Sequence, residues 1–243
     1  MKRSHIHAQH FLRGPRLVAE LVGHSNIRKN DIVYDLGAGS GVISSVLAGR
    51  CRQVIAVEIE PRALAELRKN MASYDNVTIL EQDILSLTPT SEPYKIFANI
   101  PFHLSAQIVR KFTEHNHPPR AIYLIVQKQF ARKLTLGTDH FTSQLGAQLG
   151  PLYSARVRRP LRKTDFTPPP AVDTALLELK LRDTPLVPLD HLARYREFVG
   201  RCYAEQKFYA RTPRAAAGIS AELVPSQLTL EQWRALYEKA KLP

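Results

Sequence analysis

Ile32-Val33-Tyr34-Asp35-Leu36-Gly37-Ala38-Gly39-Ser40-Gly41 decides the fold of this 243-residue chain. Residues 32–36 are apolar but for one carboxylate and one phenol, which suits a strand buried on both faces of a parallel sheet. Glycines at alternate positions then let the backbone turn tightly and come close to a ligand. A helical stretch follows over 42–49. The spacing is GxGxG. It is neither the GxGxxG of dinucleotide-binding sheets nor a phosphate loop ending in GK[ST].

Working outward, the strand–turn–helix unit repeats. Gln53 to Val57 reads as a second strand. Pro61 then stands where a first helical turn tolerates it, with Ala63, Leu64, Leu67 and Met71 at helical spacing behind it. Val77 to Leu80 and Lys95 to Ala98 read as the third and fourth strands, Leu104 to Thr113 as a helix, and Ala121 to Val126 as the most strongly apolar strand. Strands alternating with helices predict right-handed βαβ units and an α/β fold with a doubly wound, mostly parallel sheet. After about residue 150 the pattern changes. Leu152 to Arg158 and Thr174 to Leu181 alternate like two arms of an antiparallel pair, around the turn-forming Thr167-Pro168-Pro169-Pro170. Pro185 and Pro188 mark a linker. Leu192, Tyr195, Phe198, Val199 and Cys202 then share one helical stripe. Thr229 opens a last helix with Trp233, Leu236 and Tyr237 on one face. The expected organisation is a catalytic α/β domain over 1–182 and a small helical domain over 183–243.

The chain carries 34 Lys+Arg against 22 Asp+Glu, a formal net charge of +12. That excess is uneven: a block of net −3 over 31–109 lies between +5 over 1–30 and +9 over 110–163. Clustered positive charge points to a nucleic-acid partner, and the basic groups are expected to frame the pocket on the face that carries Asn99. No apolar run reaches the ~18 residues of a membrane span, and Met1 to His10 lacks the apolar core of a secretory signal. A cytoplasmic protein is therefore expected. Cys51 and Cys202 are far apart, without a CxxC, so neither a disulfide framework nor a metal site is expected.

The strand ends carry the chemistry. Glu58 falls at the carboxyl end of the second strand, where a carboxylate accepts the hydroxyl protons of a ribose. Glu60, just before Pro61, reads as a helix-start residue. Asp83 follows the third strand and is placed to accept an exocyclic adenine amine, with the Ile84 amide serving the ring nitrogen. An acidic residue leading into GxGxG resembles the glycine loop of class I S-adenosylmethionine-dependent methyltransferases, whose cofactor Gly37, Gly39, Glu58 and Asp83 would hold.

Asn99-Ile100-Pro101-Phe102 closes the fourth strand. It resembles the (D/N)-x-P-(Y/F) motif of amino-methyltransferases acting on adenine N6 or planar amide nitrogens. The lone pair of adenine N6 is delocalised into the ring. The Asn99 side-chain oxygen and the Ile100 or Pro101 carbonyl can accept the two N6 hydrogens and favour a more nucleophilic nitrogen. Phe102 can stack on an extruded adenine.

Taken together, the chain resembles the Erm family of 23S rRNA adenine-N6 methyltransferases, with the KsgA-type small-subunit enzymes as relatives. Ala8-Gln9-His10-Phe11-Leu12 resembles the family element that closes over the cofactor, so His10 and Leu12 join Gly37, Gly39, Glu58, Asp83, Ile84 and Asn99 as implied cofactor contacts. Val126 to Arg132 and Asp165 to Asp173 resemble the family's helix start after strand five and its proline loop. Leu228 to Tyr237 resembles the Erm ending. His10 stands where Erm proteins usually have Asn, and is more familiar among KsgA-type enzymes. The resemblance implies a monomer moving methyl groups from S-adenosyl-L-methionine to one adenine N6 of naked or partly assembled 23S rRNA. The implied outcome is macrolide–lincosamide–streptogramin B resistance. A KsgA-type 16S rRNA dimethyladenosine transferase and a non-catalytic rRNA-binding assembly factor stand as alternatives. Lys111, Lys128, Arg132, Lys133, Arg156, Arg158, Arg159, Arg162 and Lys163 are the candidate phosphate contacts.

Overall fold

A computed structural model describes residues 10–135 and 141–240. Ala8 and Gln9 of the N-terminal motif lie outside the described residues. Nine strands are described: β1 (Phe11–Leu12), β2 (Ile32–Leu36), β3 (Gln53–Glu58), β4 (Val77–Glu81), β5 (Tyr94–Asn99), β6 (Ala121–Gln127), β7 (Tyr153–Leu161), β8 (Phe166–Thr167) and β9 (Thr174–Leu181). The α-helices are α1 (Gly14–Gly23), α2 (Val42–Ala48), α3 (Pro61–Met71), α4 (Ser105–Thr113), α5 (Lys128–Leu134), α6 (Gln144–Leu149), α7 (Leu192–Ala204), α8 (Gln206–Arg211) and α9 (Leu230–Lys239).

Seven strands form one sheet in the order β4-β3-β2-β5-β6-β9-β7. The pairs β4/β3, β3/β2, β2/β5 and β5/β6 are all parallel, as the alternating pattern predicts. Chain order runs outward in opposite directions from β2, so a crevice opens at the carboxyl ends of β2 and β5, where open α/β sheets bind ligands. Residues 32–36 are buried throughout, which accounts for their near-continuous apolar character. Val33, Val54, Phe97, Tyr123 and Ile125 of the sheet cluster with Val18 and Leu21 of α1 and Leu47 of α2. Leu64, Leu67 and Met71 of α3 pack around Ala56. The Glu60 side chain accepts the Ala63 N–H at 2.7 Å, the helix-start role expected of it, with Pro61 in the first turn.

The remaining two strands, β1 and β8, form a separate antiparallel ribbon, with Phe11 opposite Thr167 and Leu12 opposite Phe166. Neither segment carries enough alternation to be read as a strand alone.

The chain divides into two compact units, one within Met1–Gln129 and Val157–Glu178, the other within Phe130–Arg156 and Leu179–Pro243. The second unit thus takes in 130–156 as well as the helical tail expected from 183 onward. Side-chain bonds explain the difference: the Tyr195 hydroxyl donates to Ala147 O at 3.0 Å and Gln148 Nε2 donates to Arg196 O at 2.7 Å, tying α6 to α7. The α7 stripe is buried as its spacing predicts. Trp233 is fully buried and stacks on Tyr203 at 5.8 Å. Thr229 and Gln232 form a reciprocal capping box at the start of α9. Among the described residues no helix is long and apolar enough to cross a membrane.

Candidate active site

A cavity of about 710 Å³ opens at the carboxyl ends of β2, β3, β4 and β5, all within the first unit. Its lining includes His10, Leu12, Gly37, Gly39, Glu58, Asp83, Ile84 and the run Asn99 to Phe102. One cavity therefore brings together all the proposed cofactor residues and the strand-ending tetrapeptide.

The glycine loop hangs on the end of β3. Gly37 and Ala38 N–H both donate to Val57 O, at 2.8 and 3.0 Å. Gly39 has φ +57°, a conformation side chains rarely adopt, and a Cβ there would sit 3.5 Å from the Phe11 ring. At Gly41, with φ +90°, a Cβ would meet Leu67 Cδ1 at 2.8 Å, so glycine is also what lets α3 pack against the loop.

Glu58 is only 5% exposed. Its Oε2 accepts the Gly39 N–H at 2.8 Å, and its Oε1 accepts both the Ile59 and Glu60 N–H groups at 2.8 Å. Of a carboxylate's about four acceptor positions, three are used. The role expected of Glu58 from its place at the strand end is to accept both ribose hydroxyls. The geometry leaves one position, on Oε2, because the same carboxylate also holds the loop. Asp83 Oδ1 accepts the Leu85 N–H at 2.9 Å, and Asp83 is exposed in the cavity lining. The Ile84 N–H donates to no described group. The lining also holds Glu60 and Glu66 against a single Arg62, so this end of the cavity is electronegative and suits a cationic ligand.

Asp35 lies beneath the loop, fully buried, with Oδ2 accepting from Ser44 Oγ at 2.6 Å and Oδ1 without a partner. Burial pushes its carboxyl up to about 7, against the opposing bond from Ser44, and the nearby Glu58 charge adds to the rise.

At the other end, Asn99 Nδ2 donates to His10 O at 2.6 Å, which leaves the Asn99 Oδ1 as an acceptor. The His10 ring stacks on Phe102, centroids 5.8 Å apart and 25° between planes, and its Nδ1 lies 2.9 Å from Pro168 O. His10 thus touches the two groups proposed to meet the target base. Leu12 is buried in the core cluster below them. Ile100 is buried at 2% exposure. Pro101 O already accepts the Leu104 N–H at 3.0 Å, and Ser105 Oγ donates to Phe102 O at 2.8 Å, which sets the short 3-10 turn over Phe102–Leu104.

The predicted phosphate contacts are not alike. Lys128, Arg132, Lys133, Arg156, Arg162 and Lys163 are exposed, although Lys163 Nζ donates to Ala171 O at 2.7 Å. Lys111 is half-buried over the Phe112 ring. Arg158 and Arg159, in the densest run, are half-buried and paired with Glu178 at 3.7 Å and with Glu20. Their charge is compensated inside the first unit, and reversing it would set like charges together. One further positive group, outside the predicted phosphate contacts but within the +5 block over 1–30, is Arg13, exposed at the end of the ribbon.

Residues 2–208 match the family described as ribosomal RNA adenine dimethylase. An "rRNA adenine N-6-methyltransferase" of Saccharopolyspora erythraea is 30% identical over 95% of this chain and 64% of its own length. An "rRNA methyltransferase" of Streptomyces thermotolerans is 29% identical over 98% of this chain and 83% of its own. A "Ribosomal RNA small subunit methyltransferase A" of Bacillus pumilus is 27% identical over 82% of this chain and 72% of its own. Among solved structures, the "23S rRNA methyltransferase ErmE" superposes with a TM-score of 0.83 at 28% identity, over 96% of this chain and 100% of that one.

Proposed function

Because this chain belongs to the ribosomal RNA adenine dimethylase family and is an rRNA adenine N6-methyltransferase, we propose that its target is one adenine of 23S rRNA and that methylation there protects ribosomes from macrolide, lincosamide and streptogramin B antibiotics. The observation that carries the adenine-N6 chemistry of this reading is Asn99-Ile100-Pro101-Phe102 at the cavity end of β5, with the Asn99 amide nitrogen committed to His10 O and its oxygen left to accept. In favour of the large subunit, the solved "23S rRNA methyltransferase ErmE" superposes on 96% of the chain with a TM-score of 0.83 at 28% identity.

Membership of a methyltransferase family implies S-adenosylmethionine as donor, and the cavity fits it. The glycine cradle admits close backbone approach, the lining carboxylates suit its positive charges, and the Ile84 N–H awaits an acceptor. Gly37 and Gly39 would face the amino-acid end, Glu58 Oε2 one ribose hydroxyl, and Asp83 with Ile84 the adenine. When bound, the cofactor supplies an electrophilic methyl group on its sulfonium.

The protein's task is to make a poor nucleophile reactive. Asn99 Oδ1 accepts one N6 hydrogen. The Ile100 carbonyl is preferred for the other, because Pro101 O is already engaged by Leu104. Both acceptors favour a pyramidal nitrogen. Asn99 is neutral, so it accepts a hydrogen bond without removing the proton, which leaves after transfer. Phe102 stacks on the extruded base, and Pro101 stiffens the loop that presents these groups. Exposed Lys128, Arg132, Lys133, Arg162 and Lys163, with Lys111, hold the rRNA as a monomer, and the helical segment from 183 contributes to that grip.

The direct test incubates the protein with methyl-labelled cofactor and with each rRNA, naked and in assembled subunits, then maps the labelled base. Label on one 23S adenine is expected. Label on small-subunit rRNA alone would reject the 23S assignment in favour of ribosome maturation, and no label anywhere would favour an assembly factor.

A further inference from the structure

We infer that the β1–β8 ribbon is a docking surface for the RNA strand that flanks the extruded adenine, with Arg13 as the fork that grips its phosphate. This rests on the methyltransferase reading above and extends it to a surface outside the predicted phosphate contacts.

The ribbon has two ends with different chemistry. At one end His10 stacks on Phe102 and accepts from Asn99, so it belongs to the wall that meets the base. Phe11 and Leu12 still line the cavity, and Arg13 is the first residue beyond them that does not. Three residues of extended chain cover about 10 Å, comparable to the reach of one nucleotide from base to phosphate. A nucleotide whose base sits against Phe102 and whose backbone follows the ribbon would reach the Arg13 end with its phosphate.

Arg13 is prepared for that contact. Its backbone N–H donates to Asp165 O at 2.9 Å, and its Nε donates to the Thr167 hydroxyl at 2.8 Å across the ribbon. The Nε bond orients the guanidinium, Arg13 is exposed, and none of the ion pairs among the described residues includes it. An oriented, exposed, uncompensated guanidinium matches a phosphate oxygen pair bidentately. Asp165, the acidic residue in the facing segment, is spent locally: its Oδ2 accepts the Arg162 N–H at 2.8 Å. Arg162 is exposed beside it and adds to the positive rim. By contrast, Arg158 and Arg159, which the sequence made the densest cationic run, are ion-paired.

Two substitutions separate phosphate binding from a purely structural strap. In Arg13→Gln, the glutamine Nε2 stands at the same bond distance as the arginine Nε, so the Thr167 bond can persist while the charged fork is lost. In Thr167→Val, the bond is lost and the charge stays. Each variant is titrated with in vitro transcribed 23S rRNA and with a fluorescein-labelled oligoadenylate over a salt series, alongside cofactor binding and methyl transfer. For Arg13→Gln, KM for rRNA is expected to rise about tenfold, with the salt slope of oligoadenylate binding reduced by about 1 and cofactor Kd unchanged. Thr167→Val is expected to keep the full salt slope. An Arg13→Gln protein with wild-type KM and salt slope would overturn the proposal, most clearly if Thr167→Val alone were impaired. A wild-type protein that methylates no rRNA would instead break the parent reading, and the binding slopes would still judge the ribbon.

Discussion

The two ends of the cavity are built differently. The cofactor end is made from consecutive strand–turn units: Gly37 and Gly39 after β2, Glu58 at the end of β3, Asp83 after β4, all within 47 positions of chain and held by parallel ladders. The target end is assembled from segments remote in sequence. Asn99 meets His10 across 89 positions, and His10 meets Pro168 across 158. The first end is a property of the sheet. The second depends on the pairing of β1 with β8. The cofactor end should therefore form and bind independently of the target end, and variants can break that separation or sharpen it.

The largest expected effect concerns Asp35, under the glycine loop. Its carboxyl ionises near 3.8 in the unfolded chain and at about 7 when folded. Between those values the folded state holds the extra proton, so stability is full below the unfolded value and falls as pH rises toward 7. The loss amounts to about 4 kcal/mol as an upper figure. Urea denaturation across this range should show the decline, and Asp35→Asn should flatten it. An unchanged slope in the variant would place the titrating group elsewhere.

Next is Asn99→Ala. Removing the acceptor at N6 should cut methyl transfer about 10²- to 10³-fold, with rRNA affinity nearly intact. Full methylation by this variant would sink the proposed role.

Glu58→Gln comes third. It replaces a carboxylate oxygen by an amide donor facing backbone N–H groups, and should cost about 2–3 kcal/mol in denaturation while weakening cofactor binding measured by calorimetry. If it weakened rRNA binding as strongly, the two ends would not be separable.

The smallest effect is expected from His10→Ala. Losing the stack on Phe102 should lower turnover about fivefold and leave cofactor Kd unchanged, because the His10 carbonyl that holds Asn99 is retained. A large rise in cofactor Kd would return His10 to the cofactor end, where the family resemblance put it.

This asymmetry also governs what could be read beforehand. The βαβ rhythm, Glu60 as a helix start, the Thr229 cap and the α7 stripe all follow from spacings within a few residues. The ribbon does not, since β1 and β8 are each two residues long. Composition could count the arginines of 110–163 but could not say that Arg158 faces Glu178 or that Arg159 faces Glu20. Nor could it place 130–156 with the helical tail, because the bonds from Tyr195 to Ala147 and from Gln148 to Arg196 span 48 positions each.

The sequence by itself determined the parallel sheet, the glycine turn, the acidic strand ends and the Asn99-to-Phe102 motif. Each depends on periodicity or on a residue's place at the end of its own strand, and both are local. Only the tertiary structure decided which cations remain uncompensated, how many acceptor positions Glu58 retains, and that His10, held at Pro168 O, stacks on Phe102. Those outcomes depend on which distant groups share a hydrogen bond or an ion pair, and chain spacing does not encode that.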